Sequence, residues 1–324
     1  MSLLIPFAAP LHALARAQPG AGAPRGVADA VPQLPQLAAL LAQLDEVARD
    51  DGDEWSLSPP PELALARALG GAGGDGQLPF AARAARADGL DTGDLAVGLV
   101  TPAHWHLGTD QVSLVDPAAL MLSLDDSRAL FDAVTQLFTS AGYGFVFGAA
   151  DRWYVMHESL AELPTASLDR VIGRNVDHWL GNDPAARPVR RLQSEVQMLL
   201  YGQAINAARE ARGLLPVNSF WLSGCGVAQP ERAGAPRVDA RLRAPALAGD
   251  AAAWARAWET LDAGPIAELR MAAARGEAVQ LMLCGERRGV VLATRERTRW
   301  QRLASRPAAR WAAPASPAPL LESL

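Results

Sequence analysis

The sequence predicts an α/β fold: a mixed sheet flanked by helices, with a helical N-terminal part. Three observations predict it. Beyond residue 94, short apolar runs such as Leu95–Val100 and Phe145–Phe147 alternate with stretches of helical periodicity. Gly and Pro separate these stretches at short intervals, as connections in an α/β domain require. Before residue 94 the apolar spacing is helical, with Gly-rich joints.

In order, residues 1–30 give a short apolar start, a helix near 11–17 and a Gly/Pro loop. Leu37, Leu40, Leu41 and Leu44 are spaced for an amphipathic helix over 34–50. An acidic, Pro-rich loop over 50–61 leads to helices at 61–69 and 78–87. Strands follow near 95–100 and 111–115. Leu130, Val134, Leu137 and Phe138 mark a helix over 125–141, stopped by Gly142. Residues 145–147 and 153–156 read as a hairpin. A polar segment, 167–179, precedes Asp183-Pro184, which breaks the chain before a long helix that ends at Gly213. Phe220, Trp221 and Leu222 form a core strand closed by Gly224 and Gly226.

The alternation Val238, Ala240, Leu242 predicts an edge strand over 237–243. Trp254 and Trp258 share one face of a helix over 250–261, followed by a helix over 264–275. Strands at 279–284 and 289–294 are joined by GERR, and a last helix is expected over 297–304. From 306 onward Pro and Ala dominate, so a loosely held tail is expected. These shifts divide the chain into a helical part (1–93), a central domain (94–227), a small α/β part (228–305) and a tail (306–324).

Composition excludes several chemistries. All 30 basic residues are Arg, so Schiff-base lysines and phosphate-loop lysines are ruled out. A net charge of −5 argues against a nucleic-acid binder. Cys225 and Cys284 fit reduced thiols in a cytoplasmic protein. The N-terminus has no basic stretch before its apolar run, and Pro6 and Pro10 interrupt it, so neither signal peptide nor membrane span is expected.

Two candidate sites emerge. In PAHWHLGTD, His104 and His106 stand at i and i+2 on one face of an extended segment, with Asp110 and Asp116 nearby. Imidazole with carboxylate suits a divalent metal, zinc or manganese, with His104, His106 and Asp110 as its ligands. The plain reading is local hydrogen bonding around a packed Trp105. The second site gathers Asn206, Arg209 and Asn218, with Arg174 and Asn175 as further polar groups. Arg209 suits a phosphate or carboxylate on a small molecule. The plain reading is that Asn218 caps a turn while Asn206 and Arg209 lock helix to loop. Weaker ideas are a carboxylate pair of Glu195 with Asp177 or Asp169, and a nucleophile at Ser223 or Cys225 in SGCG, which no following histidine could serve.

Over residues 116–226 the chain resembles the accessory domain of archaeal-type cofactor-independent phosphoglycerate mutases. The residues that carry it are Asn206-Ala-Ala-Arg209, Gly213, Pro216-Val217-Asn218, the apolar Phe220-Trp221-Leu222 and Gly224-Cys225-Gly226. Leu168-Asp169 stands where those enzymes tend to have His-Asp. Over about two thirds of its length the chain also resembles a bacterial group of RpfE-type regulatory proteins, through HWHLGTDQVSLVD, SLDRVIGRNVDHWL, RLQSEVQMLLY and PVNSFWLSGCG. The mutase resemblance implies two divalent metals held by Asp and His around a phosphoryl-accepting Ser. The sequence shows no such set: Asp51-Gly52-Asp53 lies in an acidic loop, and no histidine follows His178. The expectation is therefore a regulatory or ligand-binding relative without the two-metal core. The alternatives are a metal-dependent phosphoryl-transfer enzyme and an adaptor that docks a protein partner through Trp-rich surface.

Overall fold

The computed structural model describes residues 1–10, 31–180, 184–294 and 316–324. The helices expected over 11–17 and 297–304 lie outside the described residues. In chain order the main elements are β1 (Ser2–Ile5), α1 (Pro35–Leu41), β2 (Leu44–Asp51), α2 (Pro60–Leu69), α3 (Phe80–Ala87), β3 (Ala96–Ala103), β4 (Trp105–Leu107), β5 (Val112–Leu114) and α4 (Leu124–Ser140). They continue with β6 (Gly144–Ala149), β7 (Arg152–Met156), α5 (Leu168–Val171), α6 (Arg187–Tyr201), α7 (Ala204–Ala211), β8 (Ser219–Val227) and β9 (Arg237–Val238). The chain closes with α8 (Arg243–Leu247), α9 (Ala251–Leu261), α10 (Ala267–Ala274), β10 (Gln280–Cys284), β11 (Arg288–Thr294) and α11 (Ala318–Glu322). The fold is mixed α/β, as the alternation of strands and helices predicts.

The chain divides into two compact units. One joins Met1–Trp55, Pro59–Gly70 and Arg232–Leu324; the other is essentially Gly71–Glu231. The second is thus inserted in the sequence of the first.

The first unit holds a five-stranded mixed sheet, ordered β2-β11-β10-β1-β9. β1 runs parallel to β10 and β9, and β11 is antiparallel to both of its neighbours. Alternation along β1 sends Leu3 and Ile5 into a core with Leu37, Trp254 and Trp258, and Leu4 into a smaller cluster with Ala64 and Met282. Both faces are therefore covered. Trp254 and Trp258 meet edge to face with centroids 6.0 Å apart, buried to 1% and 0% exposure. These two tryptophans are core residues and take no part in a surface. α9 runs into α10 through a π-helical turn over Asp262–Ile266, where Pro265 lacks the N–H that an unbroken α-helix needs. Within that turn, buried Asp262 accepts from the backbone N–H groups of Leu37 (2.7 Å) and Gln36 (3.1 Å), so it caps α1 from a distant helix. Burial raises its pKa above the ordinary carboxylate value, against those two hydrogen bonds.

The structure departs from three of these expectations. The helix expected over 34–50 ends at Leu41, and Leu44–Asp51 is a strand on the sheet edge. Its hydrogen bonds go to β11, with a register irregularity that skips Val47. The edge strand expected over 237–243 shrinks to Arg237–Val238. The end of the tail is anchored: Leu321 is fully buried, Leu324 nearly so, and the Leu324 carbonyl accepts from Arg288 N–H.

The second unit is built on a four-stranded antiparallel sheet, β6-β7-β3-β8. α4 and α6 cover one face, where Phe131, Phe138, Leu192, Val196 and Leu200 pack on Trp153 and Phe220. α3 covers the other face with Ala81, Ala82 and Ala85, small residues that let the helix lie close to the sheet. β4 and β5 form a separate two-stranded sheet, and β5 bridges from Ser113 to Asn175 and from Leu114 to Ile172.

Candidate functional site

The long helix of the sequence reading is two helices. Gly202 ends α6, Gln203 adopts extended backbone (φ −77°, ψ 130°), and α7 begins at Ala204. Asn206 therefore sits in the first turn of α7, where Asn costs little, rather than in mid-helix. Its Nδ2 donates to the carbonyls of Leu200 (3.0 Å) and Val217 (2.8 Å), and its Oδ1 accepts from Val217 N–H at 2.9 Å. It adds a donor to the Leu200 carbonyl, which also accepts from Gln203 N–H at 3.3 Å, and ties the end of α6 to the approach of β8.

Arg209 has no exposed surface. Its Nη1 donates to Asp126 Oδ2 (2.7 Å), its Nη2 to the Leu120 carbonyl (2.5 Å) and its Nε to the Leu215 carbonyl (3.1 Å). Arg212 donates to the same Asp126 oxygen at 2.6 Å. Asp126 lies in the first turn of α4, and its N–H donates to the Ser123 cap. Burial pushes the Asp126 pKa up, but the hydrogen bonds of Arg212 and Arg209 outweigh it and leave it below the ordinary value. Asp126 was not singled out in the sequence; one acidic residue in LDDSRALF carries no local sign of a partner 83 positions on.

Asn218 grips the other side of the sheet end. Its Oδ1 accepts from Trp105 N–H (2.7 Å) and its Nδ2 donates to the Trp105 carbonyl (2.9 Å), while its own N–H donates to Ala103. The side chain thus imitates one rung of a β-ladder and prolongs the β3–β8 pairing into β4. Arg174 stacks over Trp179 at 5.7 Å, and Asn175 Oδ1 accepts from Asp177 N–H, capping the 3₁₀ turn Val176–His178. Every one of the five expected ligand residues thus has a structural contact within the chain.

His104 Nδ1 lies 2.8 Å from the Pro216 carbonyl, and the His104 and His106 ring centroids are 6.4 Å apart. Asp110 is exposed in the turn between β4 and β5. Among the described residues, no group of three or more His, Cys, Asp or Glu is placed to hold a metal ion. Glu195 pairs with Arg191 at 2.8 Å on the surface. Cys225 is 1% exposed and burial pushes its pKa up to about 12, so it is a neutral thiol and a poor nucleophile.

Two features carried no sequence signal. Arg152 makes a two-point pair with Asp88 (2.9 and 2.8 Å), and Tyr154 donates to Asp88 at 2.6 Å. The Arg152 hydrogen bonds lower the Asp88 pKa; burial raises that of Tyr154. This closed cluster pins the β6–β7 hairpin to the end of α3. The other is a cleft of about 40 Å³ with Trp179, Trp221, Thr165, Arg190 and Gln193 in its wall. It has room for a few water molecules, since each needs about 10–15 Å³.

No protein-family model matches the chain, and no curated protein matches it. Among solved structures it is weakly similar to a cofactor-independent phosphoglycerate mutase from Thermoplasma acidophilum DSM 1728, with 14% identity, a TM-score of 0.35, and coverage of 91% of this chain and 89% of that one. It is also weakly similar to the PH0037 protein from Pyrococcus horikoshii, with 12% identity, a TM-score of 0.41, and coverage of 90% and 87%. Among the described residues, no helix is long and apolar enough to cross a membrane.

Proposed function

We propose that this chain is a regulatory or ligand-binding relative of the cofactor-independent phosphoglycerate mutases, in which the motif shared with their accessory domain serves as scaffold. The observation that carries this reading is Arg209. The one cation of the motif is fully buried, and its three kinds of nitrogen are spent on Asp126, Leu120 and Leu215. A guanidinium so committed is not available to a phosphate. Asn206 is likewise saturated by backbone.

The test is the interconversion of 3-phosphoglycerate and 2-phosphoglycerate with manganese added. The expected result is no turnover above that of heat-inactivated protein; turnover that scales with protein concentration overturns the reading in favour of a metal-dependent phosphoryl-transfer enzyme. The adaptor reading keeps one supporting observation. Met198 and Tyr201, near the end of α6, are 74% and 93% exposed, and a partner would cover them.

A further inference from the structure

We propose that His104 and His106 form a two-imidazole chelate for a single divalent transition metal, distinct from any two-metal phosphoryl-transfer centre and independent of the function proposed above. Three features support it. First, a carbonyl oxygen can only accept, so the Nδ1 that lies 2.8 Å from the Pro216 carbonyl carries the proton. In the neutral ring, His104 Nε2 then keeps its lone pair for a metal, and the ring is fixed by the same kind of outer contact that metal-ligating histidines commonly make.

Second, the residue between the two histidines is clamped. The Trp105 N–H and carbonyl are both bonded to the Asn218 side chain, at 2.7 and 2.9 Å. On either side of it, His104 O accepts from Val115 N–H, and His106 lies opposite Ser113 in the β4–β5 ladder. Backbone that must be ordered to hold a chelate is ordered in advance, which lowers the cost of binding. Residues i and i+2 of such a segment face one side.

Third, the spacing is within reach. With roughly 2.0–2.1 Å from metal to nitrogen, a ring centroid lies about 3.2 Å from the ion, so two rings on one ion have centroids at most about 6.4 Å apart. The observed separation is 6.4 Å, the outer limit. His106 is exposed, so rotation about its side-chain bonds shortens that separation toward a tetrahedral angle. Two imidazoles select zinc, copper(II) or nickel over magnesium or calcium, and the remaining coordination positions stay open to water or to a small anionic ligand.

The experiment is calorimetric titration of the chelator-treated chain with zinc, with copper(II) electron paramagnetic resonance to count coordinated nitrogens. The expected result is one ion per chain, two imidazole nitrogens on copper, and affinity at least about tenfold weaker in His106→Ala. Asn218→Ala should weaken binding while leaving the nitrogen count unchanged, because it loosens the clamp but keeps both ligands. His106 is surface-exposed, so its substitution should not unfold the chain; a circular dichroism melt checks this. A double variant, His157→Ala with His178→Ala, should bind as the wild type does. The proposal is overturned if no ion binds, if His106→Ala binds as tightly as the wild type, or if the double variant loses the site.

Discussion

Replacing Asp126 with Ala should destabilise the chain by about 3–5 kcal/mol, the usual result of removing one partner of a buried ion pair. Arg209 would keep its charge at 0% exposure with only two carbonyls to face. Arg209→Met should be costly too, since it leaves Asp126 facing only Arg212 and strips the donors from Leu120 and Leu215. The double variant, Asp126→Ala with Arg209→Met, should cost clearly less than the sum of the two, because neither leaves the other's charge stranded. Urea denaturation of the four proteins measures this cycle. Additive losses would show that the pair does not act as a unit. The pH dependence has a definite sign. The folded pKa of Asp126 lies below its ordinary value of 3.8, so its contribution is present above that value and disappears as pH falls through the folded pKa. Acid should therefore erode the wild type more steeply than the double variant.

The second large effect is expected at Gly224. Its φ is +64°, a conformation that L side chains rarely adopt, and an added Cβ would lie 2.9 Å from the backbone N of Ala81, at the start of α3. Backbone cannot swing aside as a side chain tip can. Gly224→Ala should cost about 1 kcal/mol or more for the left-handed conformation, and about 1–3 kcal/mol for the overlap. The shift should register as a lower denaturation midpoint with an unchanged slope. Gly226 is held by a similar approach, with φ +145° and Pro79 Cβ 3.0 Å from the added atom. The Gly-x-Gly of the motif is thus explained by where α3 sits on β8. A Gly224→Ala protein as stable as the wild type would contradict that packing.

Local signals carried much of this structure into the sequence. Leu130, Val134 and Phe138 announce α4 because one helix face meets the core, and the LAVGLV run announces β3 because it is covered on both faces. Leu44 continued a helical spacing set by Leu37, Leu40 and Leu41, yet it begins a strand, because β11 offers a sheet edge that no local pattern reveals. The Pro/Ala composition near the end hides two leucines, Leu321 and Leu324, that reach the core. At the candidate site the residue types stood out, but their roles depended on partners far along the chain. Asp126 for Arg209 and Trp105 for Asn218 lie 83 and 113 positions away. A polar residue on a helix looks the same in sequence whether it faces a ligand or a carbonyl of its own chain.

The most direct measurement is amide hydrogen exchange at Val217, whose N–H donates to Asn206 Oδ1 at 2.9 Å. With Asn206 committed to scaffold, that amide should be strongly protected in the ligand-free protein, and adding 3-phosphoglycerate should leave its exchange rate unchanged. Fast exchange without ligand, slowed on addition of the phosphoglycerate, would mean that Asn206 waits for a substrate, and would contradict the account.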